Sequence, residues 1–202
     1  MFRSLITAGV AAVVLVAGAP FVAADPGDYY ADGYTALVKG TGAVSGFVAA
    51  DPFGRMTAES AATGGSKKGL FGSSTRPSSA DAVAYVTDAV AGSQTGEGRY
   101  RVTITYSGAY ATEAARGTGQ ARGSVVGTVF IDEAAIGYAS AELPGTAQQV
   151  VLRIDFNANF IGTPEVAVQA ELDAASDATG KNNGADTEAY TSGVTFSLDK
   201  IG

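Results

Sequence analysis

From Tyr100 onward, apolar residues return at every second position. "YRVTITYSG" places Tyr100, Val102, Ile104 and Tyr106 on one side and Arg101, Thr103 and Thr105 on the other. "QVVLRIDFN" sets Val150, Leu152, Ile154 and Phe156 against Arg153, Asp155 and Asn157. "EVAVQAELDA" sets Val166, Val168, Ala170 and Leu172 against Glu165, Gln169 and Glu171, and "GVTFSLD" sets Val194, Phe196 and Leu198 against Thr195, Ser197 and Asp199. A period of two, rich in β-branched and aromatic residues, is the pattern of a strand with one buried face. Such faces must be covered by another layer. No long run shows helical periodicity, so strand–helix–strand units are not expected. The predicted fold is all-β: an antiparallel two-sheet β-sandwich, jelly-roll-like.

Two segments are read as further strands. "SVVGTVFID", Ser124 to Asp132, is apolar on both parities and reads as a strand covered on both faces. "ADAVAYVTDAV", Ala80 to Val90, alternates despite its alanines. The first half is less ordered in pattern. Short strands broken by glycines are expected in "YTALVKGTGAVSGFVAAD", and a short helical turn at Arg55 to Ala62. Thr63 to Asp81 reads as a mobile Gly/Ser/Lys loop. "AYATEAARGTGQARG", Ala109 to Gly123, reads as a loop or a poorly specified edge strand.

The N-terminus carries Arg3, an apolar run from Leu5 to about Val16, and Val22-Ala23-Ala24 ahead of the first acid, Asp25. This is the layout of a secretory signal peptide, with cleavage expected after Ala24. The expected organisation is a signal peptide at 1–24, a flexible lead-in at 25–33 and one sandwich domain at 34–202. The expected location is the extracellular space or cell envelope.

Composition narrows the chemistry. The chain has no His and no Cys. Ser-His-Asp and Cys-His catalysis, His-ligated zinc and disulfides are therefore absent. Thirteen Lys and Arg against 20 Asp and Glu give a net charge of −7, which disfavours nucleic acid and anionic membranes. No second long apolar segment follows the signal, so no integral membrane segment is expected after its removal.

The last third, "VVLRIDFNANFIGTPEVAVQAELDAASDATGKNNGADTEAYTSGVTFSLDKI", has a distinctive order. A strand leads to F-x-G-x-P (Phe160, Gly162, Pro164), then to an alternating strand. A Gly/Ala/Asp-rich stretch follows, then Asp186 or Thr187, and Thr191 opens the final strand. This resembles the jelly-roll domains of bacterial secreted or surface proteins of the anchor-sorted type ("choice-of-anchor", PEP-CTERM-like), over about Val150 to Ile201. The resemblance implies an extracellular β-sandwich and transfers no catalytic residue. The Pro-Glu-Pro-type tail with which such chains often end does not follow Lys200-Ile201-Gly202.

Three constellations are candidates for function. "DAASDATGKNNGADTE" holds Asp173, Asp177, Asp186 and Glu188. Its final twelve residues mimic an EF-hand only at the two ends: Thr179, Lys181 and Asn182 occupy interior positions that need oxygen ligands or glycine. We read it as a hairpin connector, with a calcium site as the minor alternative. Exposed tyrosines, among Tyr106, Tyr110, Tyr138 and Tyr190, would make a carbohydrate platform. Asp155, Glu165 and Glu171 are the carboxylates that a glycoside hydrolase would need. "LPGTA", Leu143 to Ala147, echoes a sortase signal but precedes a strand, and reads as a turn. Lys67-Lys68 reads as a solvated spot.

The leading expectation is a secreted, non-catalytic bacterial β-sandwich acting as an interaction or structural module, with a glycan or envelope protein as partner. A carbohydrate-binding module is the alternative, and a carboxylate-dependent glycosidase a distant third. No cofactor is expected beyond the minor calcium alternative.

Overall fold

The computed structural model describes residues 12–15, 29–38, 42–51, 54–69 and 72–202. The expected signal-peptide cleavage after Ala24 lies outside them, as does the start of the expected lead-in. The strands are β1 (Ala12–Leu15), β2 (Tyr29–Val38), β3 (Ala43–Ala50), β4 (Met56–Thr63), β5 (Gly65–Gly69), β6 (Gly72–Ala91) and β7 (Gly96–Arg116). They continue as β8 (Gln120–Ile131), β9 (Ala134–Glu142), β10 (Gln148–Phe160), β11 (Glu165–Thr179), β12 (Gly184–Thr191) and β13 (Gly193–Lys200). The described residues contain no helix.

Two antiparallel sheets pack as a sandwich. The first runs β1-β2-β6-β11-β8-β9, with β5 paired to the start of β6. The second runs β10-β7-β12-β4-β3, with β13 paired to β7 in line with β12. From β6 to β12 the chain changes sheet at every connection except the β8–β9 hairpin. That switching is the jelly-roll habit, and it follows from strands that each have one face to hide.

Alternation sets which residues are inside. Val166, Val168, Ala170, Leu172 and Ala174 of β11 are buried, as are Leu152, Ile154 and Phe156 of β10. Val125 and Val129 of β8 face the same core, while Val126 and Phe130 of its other parity are half-buried. Between the valines, Gly127 leaves room for Ile104: a Cβ there would lie 2.3 Å from the Ile104 Cδ1.

The alternation breaks on two neighbouring strands at the same level. In β7 the buried series Tyr100, Val102, Ile104, Tyr106 resumes as Ala109 and Ala111. The odd positions Ala185, Thr187, Ala189 and Thr191 of β12 are buried, whereas Leu198 of β13 is even. Gly108 sits at the switch with φ 56°. The Ser107 carbonyl accepts from the Ser192 N–H at 2.8 Å, the Ser192 hydroxyl at 2.8 Å and the Thr191 hydroxyl at 3.0 Å. Both strands therefore reverse phase together, and the register between them is the same before and after the switch.

The core tapers. One end holds Tyr100, Ile104, Leu152, Phe156 and Leu198; the other holds Ala58, Ala62, Ala80, Ala178, Ala185 and Ala189. At the small end, Cα atoms of β4 come within 8 Å of β6 and β11, and those of β12 within 8 Å of β11. That is closer than the usual spacing of about 10 Å between packed sheets. Three buried hydroxyls bridge the gap. Ser60 donates to Ser176 at 3.0 Å, Ser176 lies 3.1 Å from the Thr187 hydroxyl, and Thr187 donates to the Ala175 carbonyl at 2.8 Å.

Several expectations are corrected. Arg55 to Ala62 is not a helical turn: Met56–Thr63 is a strand between β3 and β12. Thr63 to Asp81 is not a loop but the β5–β6 hairpin and the first half of β6. Ala109 to Gly123 is not one loop but the end of β7 and the start of β8; beyond Ala109 and before Ser124 each pairs on one side only, with β12 and β11, so the edge-strand alternative holds there. The connector read at Asp173 to Glu188 shrinks to a turn at 180–183, flanked by β11 and β12. In β4 and the second part of β6, small residues that look like turn or helix formers are selected as strands by close sheet packing.

Two consequences are measurable by urea unfolding. Gly108→Val forces a β-branched residue into the left-handed region and should cost about 2 kcal/mol, whereas Gly145→Ala, with nothing within 4 Å of the added Cβ, should be neutral. Ser176→Ala removes the central hydroxyl of the bridge and should cost about 1–3 kcal/mol.

Candidate functional site

The phase reversal decides which tyrosines face solvent. Tyr106 points into the core and is fully buried, its hydroxyl donating to the Val126 carbonyl at 2.7 Å. Burial pushes its phenol well above the ordinary range. Tyr110 shares its parity but lies beyond Gly108, so it faces outward. It stands directly across from Tyr190 of β12, the ring centroids 5.6 Å apart and tilted at 43°. Both are half-buried. Tyr138 of β9 is 78% exposed, but on the outer face of the first sheet. The four candidate tyrosines thus separate into one core residue, one isolated surface residue and one pair.

The pair lies beside a groove on the outer face of the second sheet. Along β12, Tyr190, Glu188 and Asp186 share that face. Glu188 lies directly opposite Glu59 of β4, and Glu59 opposite Phe47 of β3. Ser45, Phe47, Glu59, Ala61, Asp186 and Glu188 line a shallow groove of about 240 Å³. Phe47 is 54% exposed. None of the lining residues is Lys or Arg. Two residues along a strand advance about 7 Å, so the Tyr190 ring adjoins the Glu188 end of the groove.

The acidic candidates do not converge. Asp173 and Asp177 are outward residues of β11, on the first sheet; Asp186 and Glu188 are outward residues of β12, on the second. The two pairs face away from one another through the whole sandwich, so they cannot share one calcium ion. Among the described residues no three acidic side chains are grouped to hold a metal. Asp155 and Glu171 are divided in the same way, on β10 and β11. Glu165 is exposed at the start of β11.

Asp155 is also fully engaged. It accepts from Arg101 at 2.6 and 2.9 Å and from Arg99 at 2.8 Å. The Arg101 hydrogen bonds hold its carboxyl below the usual range. The outer face of the second sheet therefore has an ion-paired half before Gly108 and an acidic half with aromatic rings beyond it.

The first sheet carries a second acidic cluster of different character. Glu171 and Asp173 of β11 and Asp81 of β6 share its outer face. Asp173 accepts from the Ser124 hydroxyl at 3.4 Å through one oxygen, while the other is buried without a partner. Burial, followed by the charges of Glu171 and Asp81, pushes Asp173 up from 3.8 to about 7. Burial also raises Glu171, against a 2.7 Å hydrogen bond from Gln169, and raises Asp81, with Asp177 adding to the effect and Arg122 opposing it.

The sequence reading missed Glu59 and Phe47. Both lie in segments read as a helical turn and a broken strand, and only the β3-β4-β12 pairing brings them to Glu188.

No family model matches the chain, and no curated protein matches it. Two solved structures are similar in fold. One is TmCBM61 in complex with β-1,4-galactotriose, at 10% identity and a TM-score of 0.24, covering 80% of this chain and 89% of that one. The other is a family 11 carbohydrate-binding module from Clostridium thermocellum in complex with a β-1,3-1,4-mixed-linked tetrasaccharide. It has 9% identity and a TM-score of 0.25, covering 79% of this chain and 88% of that one.

The carboxylate cluster on the first sheet sets a pH dependence. Its folded pKa values are raised, so between 3.8 and about 7 the folded state of Asp173 binds more protons than the unfolded state. Stability then falls as pH rises through that window. The melting temperature should be several degrees higher at about pH 5 than at about pH 8, and Asp173→Asn should flatten the difference. A melting temperature that is flat or rises across that range in the native chain would contradict this.

Proposed function

We propose that the chain is an exported, non-catalytic bacterial β-sandwich module that binds carbohydrate on the outer face of its second sheet. The observation that carries the reading is the Tyr110–Tyr190 pair beside a groove lined by Glu59, Asp186 and Glu188. Aromatic faces offer an apolar, weakly negative surface that suits the C–H side of a sugar ring. Carboxylates accept strong, directional hydrogen bonds from hydroxyls. A shallow groove with apolar walls and a few polar groups is the usual form of a small-ligand site. The 43° tilt between the rings gives a bent platform rather than a flat one. Export rests on the signal-like N-terminus. The non-catalytic part is supported by the absence of His and Cys and by Asp155 and Glu171 facing opposite sides.

Binding to a panel of oligosaccharides, followed by calorimetry, tests this. Tyr190→Ala should weaken the bound oligosaccharide by at least about tenfold, with melting little changed. Incubation with the same sugar should release no reducing ends. Release that Glu188→Gln abolishes would make the protein a glycosidase instead. A panel without a single bound glycan would remove the carbohydrate reading.

A further inference from the structure

The charge of the groove selects among carbohydrates. Glu59 and Glu188 are directly opposed across β4 and β12, with Asp186 one step along the same face. Like charges directly opposite in a sheet are unfavourable. No Lys or Arg lines the groove to offset them, and none of the three carboxylates takes part in a salt bridge among the described residues. The contrast with Asp155, held by two arginines on the same sheet face, is direct. The chain as a whole carries a net charge of −7, so its field draws cations toward this face and repels uronates and sulfated sugars.

Resting on the carbohydrate reading above, we infer that the ligand is a cationic glycan: a sugar chain bearing free amino groups, such as a glucosamine oligomer. The ring stacks on Tyr110 and Tyr190, and the ammonium group enters between Glu59, Glu188 and Asp186. It supplies there the positive charge that the protein does not. A basic peptide would bring the same charge without a sugar ring to cover the Tyr110–Tyr190 pair, and an oligolysine probe separates the two.

The full chain is titrated with four probes: a glucosamine tetrasaccharide, its N-acetylated form, a neutral β-glucan tetrasaccharide and an oligolysine. The glucosamine oligomer should bind about tenfold tighter than its N-acetylated form, an advantage that shrinks as salt is raised. Glu188→Gln and Glu59→Gln should erase that advantage, weakening the glucosamine oligomer far more than its N-acetylated form. Tyr190→Ala should weaken both sugars together. Equal affinity for charged and neutral sugars, unaffected by the Gln variants, would overturn the cationic assignment and leave the carbohydrate reading standing. Binding of oligolysine as tight as that of the glucosamine oligomer would overturn it in favour of a peptide ligand. Sugar binding that Tyr190→Ala does not touch would overturn both. Calcium chloride that raises melting through these glutamates and displaces the sugar would assign the groove to a metal.

Discussion

The structure depends on one paired irregularity, at Gly108 of β7 and Ser192 between β12 and β13. A strand exposes alternate residues to opposite faces, so a single misplaced residue would turn the remainder of the strand inside out. Here two adjacent strands shift phase at the same level, and the Ser107 carbonyl gathers three donors from Thr191 and Ser192. The ladder between the strands keeps its register. One half of each strand can then cover the large-residue core, and the other half the alanine-rich core. A lone bulge would have set the two strands out of step and left apolar residues in water.

That irregularity also creates the candidate site. Tyr106 and Tyr110 have the same parity in the sequence, as do Tyr190 and Phe196. Extended strands would bury all four or expose all four. Because the phase reverses between the members of each pair, Tyr106 and Phe196 face the core, and Tyr110 and Tyr190 meet on the surface. Only a residue with access to the left-handed region can make the turn without strain at position 108. A backbone requirement and a surface feature are therefore one fact seen from two sides.

This explains what could and could not be read from the chain. Alternation identified β10, β11 and the first half of β7, because each has branched or aromatic residues on one parity. It could not assign Tyr110 or Tyr190 to a face. The available signal was the Ser-Gly dipeptide that interrupts both patterns, at Ser107-Gly108 and Ser192-Gly193, since glycine inside a strand marks a bulge. The alanine-rich strands were harder. "MTAESAAT" and "SSADAVAY" contain the residues of turns and helices, and their intrinsic preferences point away from strands. They are strands because the sheets approach closely there and only small side chains fit, a condition set by partners far away in sequence. Glu59 and Phe47 were hidden for the same reason.

The two acidic faces, finally, are not equivalent. On the first sheet Asp173 is desolvated and shares its surroundings with Glu171 and Asp81, so near neutral pH it holds a proton for much of the time. Burial suppresses charge there instead of displaying it. On the second sheet the carboxylates of the groove stand in contact with water, and Asp155 is already neutralised by Arg99 and Arg101. The negative potential of the molecule is thus thinned on one side and concentrated on the other, beside the Tyr110–Tyr190 pair. Lowering the pH below neutral adds protons to Asp173, so the first face loses charge on mild acidification.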